Sequence, residues 1–262
     1  MSRHVAELER QLGLTLFDRR RDGLVLTPKG LELVESARAM RSAAEGIARR
    51  AEGLHEDVEG TVRISASEVI AVEYMPDAIA ELAVRHPQLA FELVSTNAAV
   101  DVTRRQADIA VRMFEPRQPD LIVRRAATLE FGVYASRDYL ERRGTPASVR
   151  ELLEAHVLVG QDERLDLAGP RAAGIPLTRE HFVFRSDALL AGNAAVRAGV
   201  GIGFLQHRLA RRDPELVCLA LDFTPPPLPL YVVTLAELRT SARMRAVFDG
   251  LVDYFSTLAP ID

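Results

Sequence analysis

Between Pro28 and Asp57 no proline interrupts the chain after the first residue, and apolar positions recur with a strict rhythm. Leu33, Ala37, Met40, Ala44, Ile47, Ala51 and Leu54 are spaced 4, 3, 4, 3, 4, 3. An α-helix repeats every 3.6 residues, so this spacing holds all seven on one face for about three heptads. Thr27 can cap the helix and Pro28 suits its first turn. Glu32, Glu35, Arg38, Arg41, Glu45, Arg49, Arg50 and Glu52 flank the seam. The residues leave two readings: a long helix packed on its own domain, or an arm that pairs with a second copy. Alanine at alternate seam positions lets two helices approach closely, which favours the arm.

Glu56-Asp57-Val58-Glu59-Gly60 reads as a hinge, and beyond it the texture changes. Short apolar runs at 62–64, 91–94, 108–111, 131–135, 157–159, 182–184, 201–205, 216–221 and 230–233 predict strands. Between them the spacing predicts helices over 74–85, 99–105, from Ser136, from Ser148, over 187–198 and over 241–255. Ser148 followed three residues on by Glu151 is a capping box. Alternation of this kind predicts an α/β fold with parallel sheets covered by helices on both faces. Ligands in such sheets bind beyond the carboxyl ends of the strands. The loops there are Ser65-Ala66-Ser67, Ser95-Thr96-Asn97, Arg112-Met113-Phe114 and Gln161-Asp162. Their hydroxyls and amides, helix N-termini and the charge of Arg112 suit a small anion, expected to be a carboxylate. Helix capping alone would also explain any one of these residues.

The first thirty residues carry a third pattern. Val5, Leu8 and Leu12 share a helical face, Ser2 can cap that helix, and Gly13 stands where a C′ glycine belongs. Leu14, Leu16 and Phe17 follow, then Arg19-Arg20-Arg21-Asp22-Gly23 between extended segments, a hairpin with a basic tip. A helix and a small basic hairpin form the second half of a winged helix-turn-helix, in which the helix enters the major groove and the wing lies on the backbone. A plain helix and hairpin with solvated arginines fits the spacing equally well.

Other features narrow the class. The 262 residues carry a net charge of −4, which argues against general polyanion binding but not against a local basic patch. A single cysteine, Cys218, excludes an intrachain disulfide; in Leu216-Val217-Cys218-Leu219 it is expected to be a core residue. No apolar run is long enough to span a membrane and the N-terminus is polar, so the expected compartment is the cytoplasm, with no membrane partner. Gly199-Val200-Gly201-Ile202-Gly203 follows a helix instead of preceding one, the wrong order for a nucleotide loop. It is expected to end a helix and enter a strand. The six histidines show no metal spacing, His55-Glu56-Asp57 reads as a charged helix end, and no Ser/His/Asp set can be placed. No enzyme activity, metal or cofactor is therefore expected.

"SRHVAELERQLGLTLFDR" followed by "LVLTPKG" resembles the LysR-type transcriptional regulators. Their recognition helix runs into L-E-x-x-L-G-x-x-L-F-x-R, matched here by Leu8-Glu9, Leu12-Gly13, Leu16-Phe17 and Arg19. A wing then leads to L-T-x-x-G, matched by Leu26-Thr27 and Gly30. "GTVRISASEV", "RHPQLAFELV", "ADIAVR" and "NAAVRAGVGIGFL" are similar to the family's effector domain, with Gln206 where a proline is usual. The resemblance implies a partial winged helix-turn-helix over 1–27 and a linker helix over 28–59 that serves as a dimer arm. A two-subdomain effector domain like a type 2 periplasmic binding protein follows over 60–262. Subdomain I would take about 61–130 and 228–262, and subdomain II about 131–227. It implies promoter DNA, a small-molecule effector and a second copy, in a dimer or tetramer, as partners. DNA contacts would come from Ser2, Arg3, His4, Arg19, Arg20 and Arg21. Effector contacts, carried over by position, would come from Ser65, Ser67, Asn97, Arg112, Gln161 and Phe204. In the family two helices precede the recognition helix, whose first turn reads Q-P-x-V-S. This chain starts at that serine, with Met1 in place of the valine. The expectation is that roughly 25–40 residues, two helices of ordinary length, lie ahead of a start misread at GTG. As written, the chain is expected to bind operator DNA poorly. A genuine short form would act through mixed dimers. A cytoplasmic ligand-binding protein is the reading outside this class, and the heptad arm argues against it.

Overall fold

The computed structural model describes residues 3–20, 23–52, 57–97, 107–116, 121–162, 174–236 and 241–258, with the backbone alone at 19, 42, 45, 46 and 48–52. The chain opens with α1 (Arg3–Leu12), which buries no residue; Leu8 and Leu12 are exposed. Glu9 turns the chain back: one carboxylate oxygen accepts the N–H groups of Leu16 at 2.7 Å and Phe17 at 3.1 Å. The expected hairpin follows as β1 (Phe17–Arg20) and β2 (Gly23–Leu26), antiparallel, with Phe17 opposite Leu26 and Arg20 opposite Gly23. The Thr27 hydroxyl donates to Thr15 O at 2.8 Å and accepts from Gly30 N at 3.0 Å, starting α2 (Pro28–Glu52). A Cβ on Gly30 would lie 2.3 Å from the carbonyl oxygen of Leu16, so only glycine lets helix and hairpin meet this closely.

The 25 residues of α2 span about 37 Å at 1.5 Å per residue. Ala37, Met40, Ala44 and Ile47 are exposed along it and Leu33 is half-buried, so their own domain does not cover the seam. The Ala51 side chain and Leu54 fall outside the described residues, as does the helix expected over 99–105.

The rest of the chain builds two sheets. β3 (Gly60–Ala66), α3 (Glu68–Glu73), α4 (Met75–Arg85), β4 (Leu89–Ser95), β5 (Ile109–Arg112) and β6 (Leu121–Leu129) begin the first lobe. β7 (Phe131–Ser136), α5 (Arg137–Arg143), α6 (Val149–Ala155), β8 (Leu158–Gly160), β9 (Phe182–Arg185), α7 (Leu189–Arg197), β10 (Gly203–Gln206), α8 (His207–Ala210) and β11 (Leu216–Cys218) form the second. The chain then returns to the first lobe as β12 (Leu228–Leu235) and α9 (Ala242–Ser256).

The sheets are mixed, a correction to the all-parallel expectation. In the order β4-β3-β5-β12-β6, the first three strands are parallel, while β12 runs antiparallel to both β5 and β6. In the second lobe β7 lies between antiparallel β10 and β11, and β8 pairs parallel with β9. A parallel bridge between Leu158 and Ile202 joins the two pieces. The return of the chain after β11 forces this: a strand that crosses back enters from the far end.

Pleating explains the cores. Ile64, Ile109 and Val111 point to one face of the first sheet, where α3, α4 and α9 bring Ile70, Met75, Leu82, Phe248 and Phe255. Ala110, Val233 and Leu235 point to the other face. In β7, Val133 and Ala135 join Tyr139 and Leu152, while Tyr134 joins Val196 and Leu205 on the opposite side. Ser136 and Ser148 cap α5 and α6 as expected. Glu151 departs from a strict capping box, since its carboxylate takes the N–H of Ala147 at 2.8 Å, one residue before the cap. The helix expected over 74–85 is α4, with Tyr74 as its N-cap; the unexpected element is α3, which precedes it and ends on the same tyrosine. Cys218 is exposed, not a core residue: its neighbours Leu216 and Leu219 take the inward positions.

Candidate functional site

A cavity of about 340 Å³ opens between the lobes. Met113, just past β5, reaches it from the first lobe, and most of the wall comes from β8, α7, β10 and the segment entering β12. Four phenylalanines, Phe131, Phe182, Phe204 and Phe223, stand in that wall. Phe204 and Phe223 meet edge to face with centroids 6.3 Å apart. The polar lining is Gln161, Ser186 and Asn193, all neutral, and no ionisable side chain lines the cavity among the described residues. Gly160 makes room for the aromatic wall: a Cβ there would lie 2.4 Å from the Phe182 ring.

The six residues expected to meet the ligand divide into two groups. Gln161 and Phe204 line the cavity. Ser65, Ser67, Asn97 and Arg112 stand at the carboxyl ends of β3, β4 and β5, outside the cavity wall. Arg112 is 3% exposed. Its guanidinium donates to Ser65 Oγ at 2.7 Å and to Val111 O at 2.9 Å, and it has no carboxylate partner among the described residues. Burial pushes its pKa down to about 10, still well above neutral pH, so it remains a cation. Burying a charge without a counter-charge is costly, and such positions cluster at functional sites. Ser67 Oγ and one carboxylate oxygen of Glu68 are buried nearby in sequence without hydrogen-bond partners among the described residues. Asn97 ties the lobes together: its Oδ1 accepts from Glu68 N at 3.0 Å and its Nδ2 donates to Asp187 O, across the cleft, at 3.2 Å.

Further contacts cross between the lobes, among them Gln206 Nε2 to Met113 Sδ at 3.9 Å. Tyr74 donates to Gln206 Oε1 at 2.5 Å, both side chains being buried. Arg212 lies 3.8 Å from Glu73. Burial pushes the Tyr74 hydroxyl up to about 12, against the pull of Arg208 and Arg212, so it stays a donor at any ordinary pH. Gln206, which stands where a proline is usual, therefore has a bonded role. Sequence reasoning gave it no such role and did not single out Phe131, Phe182, Asn193 or Phe223, because isolated residues on separate elements carry no periodic signal.

At the other end of the molecule, Arg3 and His4 are exposed on the first turn of α1, and Arg20 is exposed on the hairpin. Ser2, Arg21 and the side chain of Arg19 lie outside the described residues.

A two-lobed ligand-binding module, carried on a long helix behind a helix and wing, defines a class of ligand-responsive DNA-binding protein. Comparison with known proteins identifies which. Residues 55–256 match the LysR substrate binding domain, and residues 1–31 match the bacterial regulatory helix-turn-helix of the lysR family. The chain belongs to the LysR family of bacterial transcriptional regulators. It is 29% identical over 263 residues to the HTH-type transcriptional regulator CrgA of Neisseria meningitidis serogroup C, covering 97% of this chain and 86% of that protein. The solved structure of CrgA superposes with a TM-score of 0.69 at 25% identity, covering 97% of this chain and 88% of that one. The full-length structure of the Vibrio cholerae virulence activator AphB gives the same TM-score at 21% identity and the same coverage. CbnR complexed with its target DNA also gives 0.69, at 17% identity and the same coverage, a likeness of fold alone.

Proposed function

We propose that this regulator senses a small carboxylate held between its lobes, and that it does so as a dimer or tetramer built on α2, without transforming the ligand. The observation that carries the anion is Arg112, a buried cation with a serine and a backbone carbonyl for company but no acid among the described residues. A carboxylate arriving there gains charge-assisted hydrogen bonds and removes the cost of the unpaired charge. Ser65, Ser67 and Asn97 at the neighbouring strand ends supply neutral partners, and Gln161 and Phe204 the opposite wall. On this reading residues 1–27 belong to the DNA-binding domain and 28–59 to the arm. Residues 61–130 with 228–262 and residues 131–227 are the two effector subdomains, moving relative to each other when the ligand binds. Arg3, His4 and Arg20 face promoter DNA together with Ser2, Arg19 and Arg21. The exposed seam of Ala37, Met40, Ala44 and Ile47 supports pairing, and the match of residues 1–31 to the lysR-family helix-turn-helix supports the DNA partner.

Thermal denaturation against a panel of small mono- and dicarboxylates tests the anion. At least one acid is expected to raise the Tm of the parent chain. Arg112→Gln should lose that response by about 10- to 100-fold in affinity, the worth of a charge-assisted hydrogen bond, while Arg112→Lys keeps part of it. An acid that stabilises Arg112→Gln as well as the parent would refute the assignment.

A further inference from the structure

We infer that the part of the effector held in the interlobe cavity is a neutral, ring-sized apolar body, so that the effector is an aromatic or alicyclic carboxylate. The inference rests on the effector reading above and adds the class of ligand. It is argued from the cavity wall, a different observation from the buried arginine.

The lining decides what can enter. A carboxylate or ammonium placed inside would give up part of its water and find, among the described residues, only Gln161, Ser186 and Asn193 as polar side chains, none of which carries charge. The cost of burying an ion without a partner exceeds what neutral hydrogen bonds return. Apolar surface has the opposite balance, since each part removed from water contributes favourably. The four phenylalanines present ring faces and edges suited to a flat partner. Three neutral polar groups among an apolar lining are the usual arrangement for fixing the orientation of a mostly hydrophobic molecule. The volume of about 340 Å³ corresponds to about eleven groups of the size that a water molecule occupies in the liquid, about 30 Å³ each. That is a bicyclic ring with one substituent. Any acid group of such a ligand stays outside the cavity. Met113 lines the wall, and Arg112, the residue before it in the chain, is a buried cation outside it.

The glycines of the wall supply a clean test. A Cβ on Gly192 would have Val159 Cγ1 at 3.9 Å as its nearest neighbour, so this helical position on α7 accepts a side chain without disturbing its surroundings. Phe204 is 41% exposed, so its truncation leaves the core intact. The probe is 2-naphthol, a neutral bicycle with one hydroxyl, titrated into the full chain and followed by its fluorescence, with succinate as the polar comparator in calorimetry. Saturable 2-naphthol binding is expected, weakened at least tenfold in Gly192→Leu and measurably in Gly192→Ala and Phe204→Ala, with no succinate binding inside the cavity. Absence of saturable 2-naphthol binding overturns the inference, and so does binding unaffected by both Gly192→Leu and Phe204→Ala. Saturable succinate binding that Gly192→Leu abolishes overturns it too, and would place a polar acid in the cavity. In that last case the carboxylate reading survives while the ring is lost. Loss of the Arg112 dependence with 2-naphthol binding intact has the opposite meaning.

Discussion

His156 shows how one buried side chain can set a pH response. It is buried beside Tyr139, whose hydroxyl oxygen lies 3.3 Å from His156 Nδ1 and accepts the N–H of Val157 at 3.1 Å. The hydroxyl can donate its proton to Nδ1 when the imidazole is neutral, a bond that protonation of the ring removes. Burial holds the His156 pKa below its usual value, Glu151 opposing and Arg143 adding to the effect. The unfolded chain therefore takes up the proton first. Stability from this site is complete above about pH 6.5 and is lost as the pH falls toward the folded value. Urea denaturation at pH 7.5 and 5.5 should show a larger drop for the parent chain than for His156→Asn, and equal drops would contradict the assignment. No sequence pattern marks His156, because its environment is made by a residue seventeen positions away. Arg112 was legible, since a charged residue ending an apolar strand is conspicuous. The exposure of Cys218 was not, because a three-residue strand is too short to state which of its faces points inward.

Among elements, α2 was the most legible, and the proposed assembly rests on it. Its rhythm predicts a one-faced helix, and the structure leaves Met40 75% and Ile47 61% exposed on it. Apolar groups this accessible in a row act as a contact surface. Met40→Glu with Ile47→Glu puts charges into that surface. Sedimentation at micromolar concentration should show the parent chain as a dimer or larger and this variant shifted toward monomer. A monomeric parent would remove the arm's role. The elements that escaped notice did so for physical reasons. β6 carries Arg124 and Arg125 mid-strand, as an edge strand can, because their side chains face water. α3 has six residues, fewer than two turns, so no period can show. The antiparallel entry of β12 was hidden because strand direction is a property of the connection and not of the strand's own residues.

At the scale of the whole molecule, the lobes are joined by two passages of chain that run side by side. Leu129, the last residue of β6, pairs with Leu228, the first of β12, and Glu130 O accepts the N–H of His207 at 3.0 Å. Away from these passages, Tyr74–Gln206, Glu73–Arg212 and Asn97–Asp187 close the gap. Removing the tightest of them should loosen the arrangement. In a Cys218→Ser background, spin labels on Val84→Cys and Val183→Cys, both exposed, report the separation of the lobes. Their distance distribution should broaden when Tyr74→Phe is added, and an unchanged distribution would show that the hydroxyl does not hold the lobes. Bending about the line of the paired passages would leave their hydrogen bonds in place, whereas sliding one past the other would break them. The first lobe is rooted to the arm, with Arg243 donating to Glu59 O at 3.3 Å beside the start of β3. A helix some 37 Å long stands beside that base, and a tilt of about 5° at its foot would carry its far end through roughly 3 Å. A shift of that size is comparable to the 3.4 Å rise between successive base pairs.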